Sequence, residues 1–474
     1  MSNVTVVVGP PGTGKTTKLL DYLEYFLKNG VPPDQIGYIS FTVKAATEAI
    51  TRAMTRFNFK KEQLPWFRTL HSLAFKRLGL STGDLIKRDQ YSEICESLGL
   101  EYSGYVVLDD GMQMSGALIG DRMLFNEGLM RVRMIDCKEQ YRLSEEDYSY
   151  EEFERLCKAV DTYKTSYALL DFNDMLTLLL AEKELPKFKV LFVDEAQDLS
   201  KLQWAVVQRL IKNSDVVYIA GDDDQAIFRW AGADPDSFIN CKGDVQQLKQ
   251  SYRLPKAVHA QAERVIRHCS TRRPKSFKPA DREGSVQFVT GPDDIDLSSG
   301  NWLILARNAY LLNPFETICE ESGYAYASKK SPLQSETINA IKRFEGWRKG
   351  EDLSAEDMTL IRKFVPSFDP AKEYPIWHEA FKRLGQDVRD YFVAALRRGE
   401  SLTKEPRIRL STIHGSKGGE CENVVVLSDM SYKSFEQFQQ DPDDEIRVFY
   451  VAATRAKENL YIMDAQSQNA FDLW

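Results

Sequence analysis

The sequence predicts an α/β protein with two parallel sheets, each of which carries a mostly helical insertion. Apolar, β-branched runs alternate with amphipathic helical patterns in two separate parts of the chain, and this alternation is typical of strands joined by crossover helices. Inside each of the two series lies a stretch where helical patterns dominate and strand patterns are few. Ligands of such sheets bind beyond the carboxyl ends of the strands, so we expect the functional residues at that edge.

The first series opens at the N-terminus, where the apolar run 4–8 stops at a cluster of glycines and prolines. In this series we predict strands over 4–8, 35–41, 189–193 and 216–220 and helices over 15–27 and 44–57. In the second series we predict strands over 286–290, 303–306, 407–413, 423–427 and 459–463. The predicted domains are a first domain over 1–80 plus 170–249 with a helical insertion over 81–169, and a second domain over 250–307 plus 404–474 with an insertion over 308–403.

The composition is that of a folded globular protein, since 43% of the 474 residues are hydrophobic and 28% are charged. The formal net charge of −8 argues against non-specific wrapping of duplex nucleic acid, although it permits a locally aromatic channel. The seven cysteines form no CxxC pattern, which indicates reduced thiols and no zinc site. No secretory signal and no apolar run of membrane-spanning length is visible. We therefore expect no membrane partner and a place in the cytoplasm of a bacterium or a phage-infected host.

The residues after the first predicted strand, GPPGTGKT at 9–16, fit the phosphate-binding pattern G-x-x-x-x-G-K-[ST]. Glycines let backbone N–H groups approach the phosphates, and the N-terminus of the following helix favours an anion. Lys15 is predicted to bridge the β- and γ-phosphates of ATP, and the Thr16 hydroxyl to ligate Mg²⁺. The expected nucleotide-binding residues of this loop are Gly9, Pro10, Gly12, Thr13, Gly14, Lys15, Thr16 and Thr17. The loop alone does not separate kinases, clamp loaders, GTPases and motors.

Acidic residues follow two further predicted strands. Asp194 comes directly after the apolar run 190–193 and is placed to hold Mg²⁺ beside a phosphate loop. The adjacent Glu195 could orient or deprotonate an attacking water, which favours hydrolysis over kinase chemistry. Gln225 ends the sequence GDDDQ after the run 216–220 and could sense the γ-phosphate or the water beside it.

Ten motifs in one order resemble the superfamily 1 DNA helicases of the UvrD/Rep type. They are GPPGTGKTT at 9–17, FTVKAA at 41–46, TLHSLA at 69–74, DFNDML at 171–176, VDEAQD at 193–198, GDDDQAIFRWAGA at 221–233, QSYRLP at 250–255, ILAR at 304–307, STIHGSKGGE at 411–420 and VFYVAATRAKENL at 448–460. The resemblance covers nearly the whole chain, and the stretch 308–403 resembles a reduced form of the family's second insertion. It implies two RecA-like domains with ATP held between them, in a motor that moves 3′→5′ on single-stranded DNA and unwinds duplex by ATP hydrolysis.

The resemblance also implies roles for residues of the second series. Tyr252 is expected to stack on adenine, Arg253 to contact the γ-phosphate and Glu420 to meet the ribose. Arg455 resembles an arginine finger, which stabilises charge developing on the phosphoryl group. A second interpretation makes Arg455 a cation that pairs with the last carbonyls of a helix. The expected catalytic residues are Lys15, Glu195, Gln225, Arg253 and Arg455, with Thr16 and Asp194 as the metal ligands.

Phe41, Phe228 and Trp230 are the candidates for stacking on single-stranded DNA. Bases stack on aromatic side chains whatever the sequence, as a moving motor requires. Phe228 and Trp230 are two positions apart, so both could face one side of an extended segment, with core packing as the alternative for a phenylalanine. The resemblance places four further residues near the DNA backbone: Thr69, His71, Thr412 and His414. The basic stretch 267–278 is interpreted as a solvated loop in preference to a set of phosphate contacts.

Three alternatives to a helicase stay open at this point. A translocase could displace proteins from single strands without efficient unwinding, because the second insertion is reduced. A protein-remodelling ATPase of the AAA type also begins with a GPPGTGKT-like loop, although it has no use for Phe228, Trp230 or 412–417. A nucleotide-gated binding module without turnover would not need Glu195 and Arg455. The partners expected for the leading hypothesis are single-stranded DNA, single-strand/duplex junctions and replication or repair proteins, with the chain as a monomer or weak dimer.

Overall fold

A computed structural model of the chain describes residues 3–104, 107–108, 112–113 and 116–474. The chain divides into two compact units. The first unit extends to Tyr252 and includes Thr271–Lys278, whereas the second contains Arg253–Ser270 and Pro279–Trp474. The chain therefore leaves the first unit at Tyr252, returns to it for one short segment and leaves it again.

The described part of the first unit alternates strands and helices. Its strands are β1 (Asn3–Val8), β2 (Ile36–Ser40), β3 (Phe67–Arg68), β4 (Val107–Leu108), β5 (Met112–Gln113), β6 (Phe188–Asp194), β7 (Ser214–Gly221) and β8 (Asp244–Gln247). Its helices are α1 (Lys15–Lys28), α2 (Val43–Phe57), α3 (Leu70–Arg77), α4 (Arg88–Ser97), α5 (Ile119–Arg133), α6 (Cys137–Ser144), α7 (Tyr150–Tyr167), α8 (Phe172–Ala181), α9 (Lys201–Lys212) and α10 (Pro235–Ile239).

The main sheet of the first unit is parallel and has the strand order β3-β2-β6-β7-β1-β8. Val8 of β1 is paired with Gly221 of β7, and Ser40 of β2 is paired with Asp194 of β6. This register brings the carboxyl ends of four neighbouring strands to one edge, which is where ligands of such sheets bind. The strands β4 and β5 form a separate antiparallel pair.

Helices α1 and α2 cover the sheet through apolar faces. Leu19, Leu20 and Leu23 of α1 are buried, at the spacing that places residues on one side of a helix. Thr42 begins α2 because its side-chain oxygen accepts a hydrogen bond from the Ala45 N–H. Each large apolar side chain that is fully buried stabilises the fold by about 1.5–3 kcal/mol. The core of this sheet contains Val7, Leu19, Leu20, Leu23, Ile36, Tyr38, Ala49, Ala53, Leu64, Phe67, Val190, Phe192 and Ala220.

Helices α4, α5, α6 and α7 form a second packed group in the first unit. Their apolar faces meet in a core of their own that contains Ile94, Cys95, Met123, Leu124, Tyr148, Phe153, Leu156 and Val160. The motif DFNDML at 171–176 lies beside this group, where Asp171 begins α8 by accepting a hydrogen bond from the Asp174 N–H. Lys164 and Arg131 pair with both of these aspartates. Burial would raise the pKa of Asp171, but Arg131 and Lys164 lower it to about 2.

The second unit repeats the architecture. Its described strands are β9 (Ser285–Val289), β10 (Trp302–Ala306), β11 (Tyr326–Ala327), β12 (Ile408–Thr412), β13 (Cys421–Leu427) and β14 (Ala456–Met463). Its described helices are α11 (Lys256–Ile266), α12 (Asn313–Ser322), α13 (Ser335–Arg348), α14 (Ala355–Arg362), α15 (Trp377–Ala380), α16 (Gln386–Arg397), α17 (Tyr432–Gln440) and α18 (Asp443–Ala453). The strand order is β11-β12-β10-β13-β14-β9, and every pair is parallel.

The core of the second unit joins the sheet to the helices α12 to α16. Phe315, Phe344 and Phe392 are fully buried in it beside Ile304 of β10 and Ile408 of β12. Two parallel α/β sheets with helical stretches inside each series confirm the predicted fold class. None of the helices in the described part of the chain combines the length and the apolar character that crossing a membrane requires.

Strand ends differ from the predicted ones where the sequence turns polar. β14 begins at Ala456, three residues before the predicted start. The prediction followed the apolar run and so left out the charged Lys457 and Glu458, which this partly exposed strand accommodates. Its pairing with β13 extends to Cys421, and the register shifts between Cys421 and Asn423. β12 is shorter than predicted at both ends, since the chain after Thr412 enters a 3₁₀ turn at His414–Ser416.

Candidate functional site

The phosphate loop connects β1 to α1. Gly14 stands immediately before α1 with a φ of 79°, a left-handed conformation that favours glycine. The Thr13 hydroxyl donates to the Pro10 carbonyl oxygen at 2.7 Å, which closes the loop on itself. Lys15 Nζ donates to the Gly9 carbonyl oxygen at 3.1 Å, so its ammonium group lies over the loop. The loop and the following helix N-terminus thus have a geometry suited to binding an anion.

Asp194 ends β6 beside the start of α1. Its Oδ2 accepts hydrogen bonds from the Thr16 hydroxyl at 3.1 Å and from the Tyr38 hydroxyl at 2.8 Å. Burial and the neighbouring Glu195 raise the pKa of Asp194 to about 6. A hydroxyl and a carboxylate oxygen are ligands that Mg²⁺ prefers, so the two predicted metal ligands fit that cation.

Glu195 lies between the phosphate loop and the next motif. It adopts a φ of 54°, a left-handed conformation uncommon for residues other than glycine and often found at functional sites. Its Oε1 lies 3.9 Å from Lys15 Nζ, and its Oε2 accepts a hydrogen bond from Gln197 Nε2 at 2.7 Å. The structure therefore brings the predicted base within ion-pair distance of the predicted phosphate-binding lysine.

Gln225 lies in a short 3₁₀ turn after β7. Its Nε2 donates to Asp222 Oδ2 at 2.7 Å, and Asp222 begins the turn by accepting from the Asp224 N–H. Burial would raise the pKa of Asp222, but Lys275 and Lys15 outweigh burial and hold this pKa below its ordinary value. Gln225 is therefore oriented by a charged carboxylate.

The interpretation of 267–278 as a solvated loop is wrong for part of that stretch. The Lys275 side chain is 1% exposed and pairs with Asp222 and Asp223. Arg272 forms a two-pronged hydrogen bond with the Asp224 carboxylate, at 2.8 and 2.6 Å. The sequence hides this arrangement because about 50 positions separate these cations from their partners.

Tyr252 lies directly against the phosphate loop. Its backbone N–H donates to the Gly12 carbonyl oxygen at 2.8 Å, and the preceding Ser251 hydroxyl donates to the Pro11 carbonyl oxygen at 2.8 Å. Tyr252 as a whole is 74% exposed. An exposed ring fastened through its backbone to the loop is suited to cover a flat apolar group bound there.

Arg253 and Glu420 meet within the second unit. Arg253 Nε donates to Glu420 Oε2, and Lys457 Nζ lies 3.6 Å from Glu420 Oε1. Burial would raise the pKa of Glu420, but Arg253 and Lys457 together hold it below its ordinary value. Two residues for which nucleotide contacts are predicted are therefore paired with each other.

Arg455 follows the C-terminus of α18 and is 1% exposed. Its guanidinium donates to the carbonyl oxygen of Val451 at 2.9 Å and to that of Gly419 at 3.2 Å, and it also contacts the Thr454 hydroxyl. This is the geometry of the second interpretation, a cation at the end of a helix. An arginine held in this way would have to exchange these partners to reach a phosphate.

Phe41 and Phe228 pack against each other, with ring centroids 6.1 Å apart. Both are 7% exposed, and they line a cavity of about 20 Å³ together with His71 and Asn173. A cavity of this size holds one water molecule and not a nucleobase. Burial lowers the pKa of His71 to about 4, so its imidazole is neutral at pH 7 and offers a phosphate no charge.

The expected extended segment around Trp230 is wrong, because Arg229–Ala231 forms a 3₁₀ turn. Phe228 is buried at the start of this turn, whereas Trp230 is half-buried with its ring stacked on Phe125 at 6.4 Å. A 3₁₀ turn directs neighbouring side chains around its axis, so period-two alternation does not apply here. Trp230 is the more accessible of the two predicted stacking residues in this motif.

The remaining predicted DNA contacts include two threonines that bind backbone groups. The Thr69 hydroxyl begins α3 by accepting from the Ser72 N–H and is buried, and the Thr412 hydroxyl accepts from the Gly415 N–H. His414 is half-buried in the turn that follows β12. The two threonine hydroxyls thus accept hydrogen bonds from nearby backbone N–H groups.

Comparison with known protein families decides the family. The profile described as UvrD/REP helicase N-terminal domain matches residues 1–246. The chain belongs to the UvrD/Rep helicase family. A second profile, the UvrD-like helicase C-terminal domain, matches residues 326–467. The predicted resemblance to this family is confirmed.

Curated relatives of this UvrD/Rep chain are distant in sequence. YjcD of Bacillus subtilis (strain 168) is 22% identical over 96% of this chain and 76% of its own length. The ATP-dependent DNA helicase PcrA of Staphylococcus epidermidis is 27% identical over 61% of this chain, and PcrA of Staphylococcus aureus is 27% identical over 59%. These alignments span 42% and 40% of the PcrA chains. The crystal structure of Arterivirus nonstructural protein 10 (helicase) aligns with a TM-score of 0.36 at 13% identity, over 98% of this chain and 61% of that one.

The UvrD/Rep motifs also contain contacts that the sequence reasoning missed. Tyr38 of β2 reaches Asp194 because β2 pairs with β6, which only the strand order reveals. Gln197 bridges Glu195 and the Asp222 backbone, with hydrogen bonds of 2.7 and 3.0 Å. Its place inside DEAQD is the one signal in the sequence that could have pointed to it.

Proposed function

We propose that this chain is an ATP-driven motor that moves 3′→5′ along single-stranded DNA and unwinds duplex DNA ahead of it. The observation that carries the proposal is the joint position of Lys15, Thr16, Asp194 and Glu195 at one sheet edge, with the exposed Tyr252 beside them. A phosphate loop with an adjacent carboxylate base is suited to phosphoryl transfer to water. Membership of the UvrD/Rep family supports DNA as the track.

In the proposed reaction the phosphate loop binds ATP. Lys15 and the α1 N-terminus hold the β- and γ-phosphates, and Tyr252 stacks on the base. Thr16 and Asp194 would hold Mg²⁺, which would neutralise charge on the phosphate oxygens. Arg253, Glu420 and Arg455 complete the nucleotide contacts, the two arginines by countering charge on the transferring phosphoryl group.

Glu195 is the proposed general base. A water oxygen forms a bond to the γ-phosphorus, the bond from the γ-phosphorus to the β–γ bridging oxygen breaks, and the water proton passes to the Glu195 carboxylate. Lys15 Nζ lies 3.9 Å from that carboxylate, so the proposed base stands beside the cation that would hold the γ-phosphate. Gln225 contacts the attacking water or the γ-phosphate. Hydrolysis of the nucleotide thereby affects Phe228 and Trp230, the proposed DNA-binding residues that follow Gln225 in the chain.

The proposed track consists of aromatic and small polar residues. Trp230 stacks on a base, and Phe41 and Phe228 do so only after the small cavity beside them opens. The neutral His71 contacts the strand as a hydrogen-bonding group. Three further residues contact the DNA backbone in this proposal: Thr69, Thr412 and His414.

The proposed organisation keeps the domains of the sequence interpretation. Residues 1–80 with 170–249 are the first proposed motor domain and residues 250–307 with 404–474 the second, although 250–252 and Thr271–Lys278 pack with the first unit. The proposed insertions are 81–169 and 308–403. The substrates are single-stranded DNA and single-strand/duplex junctions, and replication or repair proteins are the proposed partners of a monomer or weak dimer.

Forked duplexes test this function. A substrate with a 3′ single-stranded tail should be unwound with ATP and Mg²⁺, and one with a 5′ tail should not. Displacement of streptavidin from a biotinylated single strand, measured beside unwinding, identifies a translocase that strips proteins without separating strands. Unwinding from the 5′ tail alone would overturn the proposed polarity, and no ATP-dependent activity on either DNA would overturn the motor.

A further inference from the structure

We infer that Lys275 and Asp222 are positioning residues that hold Gln225 and Glu195 in place for ATP hydrolysis. The inference rests on the proposed function, because the expected effect of these two residues is on the rate of ATP hydrolysis. Lys275 belongs to the short segment Thr271–Lys278, which returns to the first unit along the chain. It is far in sequence from the UvrD/Rep motifs that it contacts.

The centre of the arrangement is a buried ionic cluster. Lys275 Nζ lies 2.7 Å from Asp222 Oδ1, 2.6 Å from Asp223 Oδ1 and 3.1 Å from Asp224 Oδ2. The three aspartate side chains are at most 1% exposed. Arg272 supplies a second cation through Asp224. Burying carboxylates together costs free energy unless cations pair with them, and Lys275 and Arg272 supply these cations.

The Asp222 side chain connects the ionic cluster to Gln225. One carboxylate oxygen of Asp222 is held by Lys275, and the other accepts from Gln225 Nε2 at 2.7 Å. A carboxylate only accepts hydrogen bonds, so it fixes the NH₂ group of the Gln225 amide toward Asp222. The carbonyl oxygen of the same amide therefore points away from Asp222, where it can accept a hydrogen bond from a water.

The Asp222 backbone connects the ionic cluster to Glu195 through Gln197. The Asp222 N–H donates to Gln197 Oε1 at 3.0 Å, and Gln197 Nε2 donates to Glu195 Oε2 at 2.7 Å. Gly221 permits this approach, because a Cβ at that position would lie 2.7 Å from Gln197 Oε1. The cluster is therefore connected to both Gln225 and Glu195 through Asp222.

Asp223 provides a matched control. Asp222 and Asp223 are equally buried and both pair with Lys275, so Asn at either position removes one charge from one cluster. The second oxygen of Asp223 accepts from the Arg273 N–H, and none of its described contacts reaches Gln225 or Gln197. A purely structural cluster predicts equal effects of the two substitutions, whereas a positioning role predicts unequal effects.

The test measures ATP hydrolysis with saturating oligo-dT for Asp222→Asn and Asp223→Asn. We expect Asp222→Asn to lower kcat by about tenfold, the scale of one hydrogen bond to a charged group, and Asp223→Asn by no more than about twofold. The affinity for a fluorescent ADP analogue should be retained in both variants, because the phosphate loop and Asp194 are unchanged. Thermal unfolding should show similar losses of stability for the two.

Lys275→Met and Lys275→Arg extend the test to the cation. Met removes the charge at similar length, and kcat per folded molecule should fall with Met and recover in part with Arg. Equal kcat losses for Asp222→Asn and Asp223→Asn, or Lys275→Met protein that is folded and fully active, would overturn the inference. The proposed function itself fails if the wild-type protein hydrolyses ATP no faster than Lys15→Ala does. The two failures are therefore distinguishable.

Discussion

The Thr16 hydroxyl donates to Asp194 Oδ2 at 3.1 Å, although 178 positions separate the two residues in the chain. The contact exists because β1 and β6 are parallel strands of one sheet and their carboxyl ends share an edge. Thr16 lies in the first turn of α1, the helix that follows β1, and Asp194 ends β6. The fold thus places a hydroxyl and a carboxylate together where a magnesium nucleotide would need both.

Glu195→Gln should abolish turnover and leave nucleotide binding intact. Glutamine keeps the size of the side chain and a hydrogen bond to Gln197, but it cannot accept a proton from water. We expect kcat to fall by at least about 100-fold, the contribution of a general base. The measurement is ATPase rate beside fluorescent nucleotide binding, with Glu184→Gln, an exposed glutamate of the same unit, as the control. Wild-type hydrolysis by Glu195→Gln would remove this residue from the base role.

Arg455→Gln separates the two interpretations of this arginine. If Arg455 counters charge in the transition state, kcat per folded molecule should fall by about 1000-fold. The variant should also lose stability, because the guanidinium donates to the carbonyl oxygens of Val451 in α18 and of Gly419 before β13. Thermal unfolding and ATPase activity are measured on the same preparation. A lower melting temperature with undiminished kcat would show that Arg455 serves the helix end alone.

Trp230→Ala should weaken the response to DNA. Its ring is the more accessible one of its motif, and stacking on a base is worth about 1–3 kcal/mol. We expect the oligo-dT concentration for half-maximal ATPase stimulation to rise by about tenfold or more. Trp66→Ala is the matched control. The Trp66 indole donates to the carbonyl oxygen of Asp34, which precedes β2, whereas Phe41 of the proposed track follows the other end of β2. Equal effects of the two substitutions would contradict the stacking role.

The buried His71 should make stability fall in mild acid. Its pKa is about 4 in the folded protein and about 6.5 when unfolded, so the unfolded chain binds more protons between these values. The contribution is complete above pH 6.5 and is lost as the pH falls, by roughly 2 kcal/mol between pH 7 and pH 5. His71→Gln should have a smaller loss over this range in urea unfolding of the two proteins. An identical pH dependence would contradict the burial of a neutral imidazole.

Much of the fold and part of the site could be predicted from the sequence. The parallel sheets and the phosphate loop have local signatures, and the two compact units contain them. The conformation of 228–230 was not predictable from alternation, because the chain forms a 3₁₀ turn at Arg229–Ala231 and not an extended segment. Contacts between distant segments leave no local signal, as for Tyr38 with Asp194 and Lys275 with Asp222.

The most direct test of the proposed motor is ATP hydrolysis with and without oligo-dT, with Lys15→Ala as the blank. Lys15 is the cation of the phosphate loop, and its loss removes the main charge that holds the β- and γ-phosphates. The proposal predicts hydrolysis that the single strand stimulates strongly and that Lys15→Ala lacks. Hydrolysis at one rate with and without DNA would contradict a DNA motor, and hydrolysis by Lys15→Ala at the wild-type rate would contradict the nucleotide site itself.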